Sequence, residues 1–220
     1  MTDVVDPYFD TEAGCLRNLL GIADADALAT IEAAIVSRRA RQVGRLAPVP
    51  TSVGDWCAVH RHLFGDVYEW AGEFRTVNIT KGEHSFHPAS HLDQATDYCA
   101  SQMRQIADQT TPDKRLLSEQ LSTLLSDMNE AHPFREGNGR TQRHIIGQLA
   151  AHHEHSIAWK AISPRQNIDL SIASGVEPHA FAPALRIAMD IAREYDVKRS
   201  PRPARERDLQ EPSQDSGLDL

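Results

Sequence analysis

The chain is 220 residues long, enough for one domain with a substantial core and a short appendage. It carries 23 lysines and arginines against 31 aspartates and glutamates, a formal net charge of -8, so we expect no binding to nucleic acid through bulk positive charge. No apolar run approaches the ~20 residues of a membrane span, and the first residues do not resemble a secretory signal. Three cysteines are too few for a disulfide framework. These features favour a soluble, cytoplasmic protein.

Apolar residues at helical spacing dominate the chain. The segment from Asp24 to Val43 is predicted to form a first helix, and Thr51 or Ser52 is predicted to cap a second helix that ends near Phe64. Further apolar stripes at helical intervals lie within residues 92–106, 117–128, 145–149 and 181–192. The predicted fold class is therefore all-α.

One segment, from Gly72 to His87, departs from the helical pattern. Its β-branched residues flank Lys81 and Gly82, which predicts a short β-hairpin with Gly82 at the turn. A lone two-stranded hairpin is marginally stable in water. We therefore expect this hairpin to lie against the helices as a flap, over residues 75–87.

The last residues differ from the rest in composition. Proline, serine and charged residues dominate from residue 198 onward, basic as far as Arg207 and acidic after it. The sequence therefore predicts one domain over residues 1–197, with its core in about 50–176, and a disordered tail over residues 198–220.

Residues 132–143 read HPFREGNGRTQR and follow one of the apolar stripes. The glycines at 137 and 139 allow backbone conformations in which N–H groups converge on an anion. The turn leads into a predicted helix, whose first N–H groups and dipole favour phosphate. Arg140 and Arg143 lie on one face of that helix and add charged donors for phosphate oxygens. The segment therefore predicts a site for nucleotide phosphates.

Two more side chains of this segment have the chemistry of phosphate transfer. Glu136 is a lone carboxylate beside the predicted anion site, a ligand that suits Mg²⁺ when phosphates also bind the ion. His132 has an unperturbed pKa that suits a general base near neutral pH. A purely structural alternative exists for each feature: the turn as a plain helix corner, the arginines as solvated charges, and His132 as a cap or core residue. Their concentration in twelve residues favours function.

The twelve residues match in full the signature H-x-F-x-[DE]-G-N-G-R-x-x-R, and the chain thereby resembles the Fic (filamentation induced by cAMP) family. The segment from His60 to Gly82 is similar to the second helix and the flap of that family. The resemblance extends over residues 8–195. It implies the Fic fold, which is mainly helical with a short β-hairpin flap.

The resemblance implies transfer of AMP from ATP to a Ser, Thr or Tyr hydroxyl of a target protein, with release of pyrophosphate. His132 would deprotonate the hydroxyl, Glu136 would hold Mg²⁺ on the α- and β-phosphates, and Phe134 would anchor the loop in the core. Asn138 would also contact the α-phosphate. The residues expected to bind the phosphates are Gly137, Asn138, Gly139, Arg140 (β-phosphate) and Arg143 (γ-phosphate). The flap residues expected to dock the target are Val77, Asn78, Ile79, Thr80, Lys81, Gly82 and Phe86.

Position 139 separates two activities within the resemblance. The related Doc kinases have lysine there and transfer the γ-phosphate, whereas the glycine of this chain favours adenylylation. Two alternatives stay open. One is transfer of phosphate or of another nucleotide, and the other is a catalytically idle module that binds only a nucleotide or a partner. The intact His132 and Glu136 argue against the idle module.

Regulation is also implied by the resemblance. Many Fic proteins carry an inhibitory helix with the pattern [ST]-x-x-x-E-[GN], but in this chain the only glutamate followed by glycine or asparagine is Glu136 itself. We therefore expect a toxin that is inhibited by a separate small antitoxin, whose glutamate pairs with Arg143. Short Fic toxins of this kind modify type II topoisomerases, so subunits of DNA gyrase and topoisomerase IV are the expected targets.

Overall fold

The structure is a computed structural model that describes residues 6–43, 49–82 and 84–199. Within these ranges the chain forms seven α-helices and two antiparallel two-stranded hairpins, which confirms the predicted mainly helical fold with a short hairpin. The helices are α1 (Ala25–Ala40), α2 (Val53–Phe64), α3 (Leu92–Ala107), α4 (Lys114–Ala131), α5 (Asn138–His152), α6 (Pro164–Ala173) and α7 (Ala182–Arg199). The strands are β1 (Phe9–Asp10), β2 (Cys15–Leu16), β3 (Thr80–Lys81) and β4 (His84–Ser85).

Side chains cap the first turns of several helices. The Asp55 N–H donates to Ser52 Oγ at 3.1 Å, and the Ser52 N–H donates to Asp55 Oδ2 at 2.9 Å, a reciprocal capping box at the start of α2. Asp24 and Asp113 each accept a bond from the N–H three residues later, at the starts of α1 and α4. These N–H groups have no partner inside their own helix. Of the two caps predicted for the second helix, Thr51 and Ser52, the structure has Ser52.

Helix α4 lies at the centre of the molecule. It packs against α3, α5 and α7, while α1 packs on α2 and α2 packs on α5. Its buried face contains Leu121, Leu124 and Met128, which recur at helical spacing. Phe134, in the loop after α4, is buried in the same core and meets the Trp56 ring edge-on, with 6.2 Å between centroids. The loop that carries the candidate site therefore rests on the core.

Several boundaries differ from the predictions. Helix α1 ends at Ala40 rather than near Val43. The helix after the glycine turn is predicted from about Arg140, and α5 begins at Asn138. Helix α7 includes residues 198 and 199 of the predicted tail, whose remainder lies outside the described residues. None of the helices in the described ranges combines the length and apolar character needed to cross a bilayer.

Two elements lack a sequence prediction. In the first hairpin, β1 pairs with β2, and Asp10 Oδ1 closes the turn by accepting bonds from the N–H groups of Glu12 and Ala13. The other element is α6, which Ser163 caps and which has no buried residue. Both escape pattern analysis for a physical reason: two-residue strands have no alternation, and a helix without a buried face has no apolar stripe.

Candidate active site

A cavity of about 560 Å³ opens where four elements meet. The end of α4, the start of α5, the flap and α6 each contribute to its wall. Among the residues predicted for the site, those that line it are His132, Glu136, Asn138, Gly139, Arg143, Ile79, Thr80, Lys81 and Phe86. The volume lies within the range of small-molecule sites. The fold therefore brings a base, a carboxylate and a helix N-terminus to one cavity.

His132 ends α4 in the left-handed conformation, with φ 42° and ψ 57°. Its backbone N–H donates to the Met128 carbonyl at 3.1 Å, and its ring Nδ1 lies 3.1 Å from the Asn129 carbonyl. Because a carbonyl only accepts, Nδ1 carries the proton of the neutral ring and Nε2 keeps the lone pair. Burial is the main cause that lowers the pKa of His132 to about 4. The ring is therefore neutral at pH 7 and able to accept a proton at Nε2.

The two glycines of the motif occupy different environments. Gly137 has φ 84°, and a Cβ atom there would lie 2.4 Å from Phe64 Cζ, so both the backbone and the packing require glycine. At Gly139 a Cβ atom would meet Arg143 Nη1 at 3.6 Å, which is an ordinary contact. Packing therefore explains Gly137 but not Gly139, which lines the cavity.

The first turn of α5 supplies backbone donors. The helix begins at Asn138 without a side-chain cap, and the first N–H groups of a helix have no acceptor within it. The Asn138 side chain is buried and bonded at both ends to Phe134: its Oδ1 accepts from the N–H at 2.9 Å, and its Nδ2 donates to the carbonyl at 2.7 Å. The Asn138 side chain therefore shapes the loop, and its backbone N–H belongs to the helix donors that can bind an anion.

Arg140 is held on the side of α5 that faces α1. Its Nη1 lies 2.5 Å from Glu32 Oε1 and its Nη2 lies 3.1 Å from Glu136 Oε1, while the guanidinium lies 4.7 Å from the centroid of the Phe64 ring. Glu32 is only 6% exposed and also accepts a hydrogen bond from the Tyr68 hydroxyl. The fold therefore does not bring Arg140, a predicted phosphate ligand, into the wall of the large cavity.

Arg143 lies between the large cavity and a smaller one. The smaller cavity, of about 270 Å³, separates α1 from α5 and is lined in part by Ala33, Val36 and Trp159. Burial, followed by the charge of Arg140, lowers the pKa of Arg143. Within the described part of the chain, no carboxylate forms an ion pair with Arg143. This guanidinium is therefore a desolvated cation that an acidic group could reach from two sides.

Glu136 fits the requirements of a magnesium ligand in part. Its side chain is 46% exposed, and its Oε1 accepts bonds from the Gly137 N–H at 2.8 Å and from Arg140. The described residues contain no group of three or more His, Cys, Asp or Glu that could hold a metal by themselves. Mg²⁺ in nucleotide sites needs only one or two carboxylates because phosphates and waters complete its shell. The residues therefore fit an ion that arrives with a nucleotide.

His60 supports the loop from α2. The Gly72 N–H donates to His60 Nδ1 at 2.8 Å, so the ring proton is on Nε2, which donates to the Glu136 carbonyl at 2.9 Å. The ring is stacked between Phe64 and Phe134, with centroids 4.8 and 3.8 Å away. Burial lowers the pKa of His60 to about 4. A neutral imidazole therefore ties the backbone of the motif to the segment before the flap.

Strand pairing covers only the tip of the predicted flap, and the turn lies where it is predicted. Strands β3 and β4 pair over two residues each, with Gly82 in the left-handed conformation at φ 62°. Phe86, just after β4, stacks on the His132 ring with 3.9 Å between centroids. His84 Nε2 lies 3.2 Å from Oε2 of Glu130 in α4. The flap therefore contacts the predicted base directly.

Two of the predicted docking residues lie in the stem of the flap rather than in the cavity wall. The Asn78 side chain accepts a bond from the Ala89 N–H at 2.8 Å, and the Val77 carbonyl accepts one from Arg75 at 2.8 Å. The first contact joins the two ends of the flap to each other, and the second joins its first end to the Arg75 side chain. Val77 and Asn78 thus fasten the hairpin.

Several residues that hold the site are not among the sequence predictions. Glu32, His60 and Arg75 contact the motif from positions 108, 76 and 57 residues away. Such contacts depend on tertiary packing and have no local signature. One signal does exist for Glu32: it lies between Leu28 and Val36 on the buried face of α1, where an acidic residue needs a partner.

Comparison with known proteins is consistent with this site. The family model described as Fic/DOC family matches residues 50–150. The protein adenylyltransferase VbhT of Bartonella schoenbuchensis is 36% identical over 173 residues, which are 77% of this chain and 36% of that protein. The probable protein adenylyltransferase y4lH of Sinorhizobium fredii is 30% identical over 172 residues, 78% of this chain and 88% of that protein. The chain thus spans about a third of the first relative and most of the second.

Solved structures show the same fold at low sequence identity. The BepC protein of Bartonella tribocorum, a VirB-translocated effector with bound AMPPNP, superposes with a TM-score of 0.75 and 18% identity over 82% of this chain and 95% of that one. The N-terminal Fic domain of an effector from Bartonella quintana, with bound ADP, superposes with a TM-score of 0.73 and 22% identity over 82% of this chain and 93% of that one. On the motif, the fold and these relatives, the chain belongs to the Fic/DOC family.

Proposed function

We propose that the chain is a protein adenylyltransferase that transfers AMP from ATP to a hydroxyl of a target protein. The observation that carries this proposal is that His132, with a lone pair at Nε2, lines the same cavity as the first turn of α5. A base and an anion site on one cavity are what hydroxyl attack on a phosphate needs. The two relatives, named a protein adenylyltransferase and a probable protein adenylyltransferase, support the same activity.

The proposed step is a substitution at the α-phosphorus. The target hydroxyl oxygen forms a bond to the α-phosphorus, and its proton moves to His132 Nε2. The bond between the α-phosphorus and the oxygen that bridges to the β-phosphate breaks, and pyrophosphate leaves with the electron pair. The backbone N–H groups at the start of α5 would stabilise the charge that develops on the phosphate oxygens.

Glu136 would hold Mg²⁺ together with the phosphates. The half-exposed carboxylate beside the helix N-terminus supports this assignment. When bound, Mg²⁺ would supply neutralisation of phosphate charge. Gly139, which packing does not require to be glycine, would let the triphosphate approach the helix closely.

The other half of the cavity would take the nucleoside. It is lined by Leu125, Ile168, Ile172 and Phe181, an apolar surface suited to a flat base. The related effector domains were solved with AMPPNP or ADP bound, which supports an adenine nucleotide here. The short strand β3, exposed along its length, would add a segment of the target as a further strand.

The proposal extends to regulation. Arg143 is desolvated, and among the described residues no carboxylate pairs with it. A separate antitoxin could place a glutamate there and occupy the site of the γ-phosphate. We propose such a cytoplasmic toxin–antitoxin pair, with subunits of DNA gyrase and topoisomerase IV as targets.

Labelled ATP distinguishes the proposal from its alternatives. The purified chain would be incubated with Mg²⁺ and a bacterial lysate, in parallel with ATP labelled at the α- or the γ-phosphate. Label that enters protein only from the α-position supports adenylylation. Label from the γ-position would make the chain a kinase, and binding of ATP without any labelling would favour the idle module.

A further inference from the structure

Arg75 is a buried cation at the start of the flap, where the flap meets the motif. The residue is 2% exposed, and in the described ranges no carboxylate forms an ion pair with it. A buried guanidinium is costly unless its N–H groups find acceptors. Arg75 finds backbone carbonyls, from three segments of the chain. Desolvation lowers its pKa from the usual value, as expected for a cation in such a position.

The bonds of Arg75 reach the residues that matter for the site. Its Nε donates to the His132 carbonyl at 2.8 Å. Its Nη1 donates to the Val77 carbonyl at 2.8 Å, and its Nη2 donates to the His87 carbonyl at 2.5 Å. Nη2 also lies 3.4 Å from the carbonyl of Ala131. One planar group thus joins the two stems of the flap, at Val77 and at His87, to the backbone of His132.

The conformation of His132 makes this bond consequential. His132 has a left-handed backbone conformation, which is unfavourable for any residue other than glycine. Such a conformation persists only where the surrounding contacts hold it in place. The His132 N–H is bonded within α4, and its carbonyl is bonded by Arg75. The Arg75 N–H also donates to the Pro133 carbonyl at 2.8 Å. Arg75 therefore constrains the backbone on the exit side of His132.

We propose that Arg75 is a positioning residue that fastens the two stems of the flap to the His132 backbone, so that one guanidinium aligns the target-docking hairpin with the base. A lysine cannot replace it in full, because a single ammonium group lacks the planar fork that reaches carbonyls on several sides. The proposed consequence for catalysis rests on the proposed function, whereas the consequence for flap order does not.

The test compares Arg75→Lys, which keeps the charge, with Arg75→Met, which removes charge and donors. Hydrogen exchange would be followed at the amides of Phe86, His87 and Ala89 and at amides inside α3 and α4. We expect exchange at least about tenfold faster in the flap of Arg75→Lys, with the helices unchanged, because bonds from a charged donor are lost there. Arg75→Met is expected to exchange faster still.

The control is Arg104→Lys, in which the arginine is exposed and donates to the Thr51 carbonyl at 3.2 Å, away from the flap. It should leave exchange and labelling unchanged. In Arg75→Lys the initial rate of lysate labelling from α-labelled ATP should fall about tenfold or more, while the Kd for Mg²⁺-ATP stays within about twofold.

Each of the following results would overturn the proposal. Flap exchange equal to the wild type would show that Arg75 does not fasten the hairpin. Exchange that accelerates equally in α3, α4 and the flap, or loss of the folded state in Arg75→Lys, would make Arg75 a general stabilising residue. Faster flap exchange with unchanged labelling would remove its role in aligning the base. If the wild type labels no protein, the proposed function fails, and the exchange comparison still decides whether Arg75 fastens the flap.

Discussion

At the scale of single residues, the site depends on which partner each charged or titratable group has. His132 has a lone pair at Nε2 that can accept a proton, because the Asn129 carbonyl fixes the proton on Nδ1 and burial keeps the ring neutral. The Arg140 guanidinium, in contrast, is already paired, since Glu32 and Glu136 accept bonds from it. A phosphate that approaches Arg140 therefore competes with a buried carboxylate.

This competition gives a prediction for Glu32→Gln. The glutamine removes the negative charge and keeps one acceptor oxygen for Arg140, while its NH2 group takes the place of the oxygen that accepts from the Tyr68 hydroxyl and can donate to that hydroxyl instead. We expect ATP to bind about fivefold tighter or more at low salt, because the guanidinium is no longer neutralised from the α1 side. Calorimetric titration with ATP measures the effect. Glu119→Gln is the matched control, because it removes the charge from an ion pair with Arg115 on α4, a different helix. Weaker ATP binding in Glu32→Gln would contradict the account and show that the carboxylate holds Arg140 in a binding position.

At the scale of elements, the two glycines at the start of α5 differ: packing requires a glycine at position 137 but not at position 139. Gly137→Ala introduces a Cβ atom 2.4 Å from Phe64 Cζ at a positive φ, so we expect a loss of about 2–4 kcal/mol in the free energy of unfolding. Gly139→Ala is the matched control, because its Cβ atom meets no atom closer than 3.6 Å. Urea denaturation compares the two variants. Equal stabilities would contradict the contact between Gly137 and Phe64.

The elements also show how far pattern analysis reaches. The stripes around Leu121 and Met103 predict α4 and α3 because amphipathic helices repeat with a period that the sequence displays. The motif is recognisable because its chemistry is concentrated in twelve residues. The ends of helices are less predictable, as at Ala40, because they depend on local contacts. Arg75 and Glu32 escape because folding, rather than spacing, brings them to the motif.

At the scale of the whole molecule, two buried neutral histidines connect stability to pH. His60 and His132 have pKa values lowered to about 4 from about 6.5 by burial. The unfolded chain therefore binds more protons than the folded one between these values, and stability falls as the pH falls from about 6.5 toward 4. Carboxylates with lowered pKa values, such as Asp55 and Asp66, lose their contribution to the free energy of unfolding only below about pH 4.

We therefore expect the free energy of unfolding to drop by about 1 kcal/mol for each of the two histidines between pH 7.5 and pH 5.5. Urea denaturation at several pH values within this interval measures the slope. Stability that stays constant or rises as the pH falls would mean that these imidazoles are already protonated in the folded protein.

The central claim is that one cavity contains a phosphate site and a separate base. His132→Ala tests it most directly, through two measurements on the same variant: labelling of lysate proteins from α-labelled ATP, and the Kd for Mg²⁺-ATP. The account predicts that labelling falls by about a thousandfold while the Kd changes by less than about twofold, because the base takes part in proton transfer and the α5 N-terminus binds the phosphates. Labelling retained at the wild-type rate would contradict the assignment of His132 as the base.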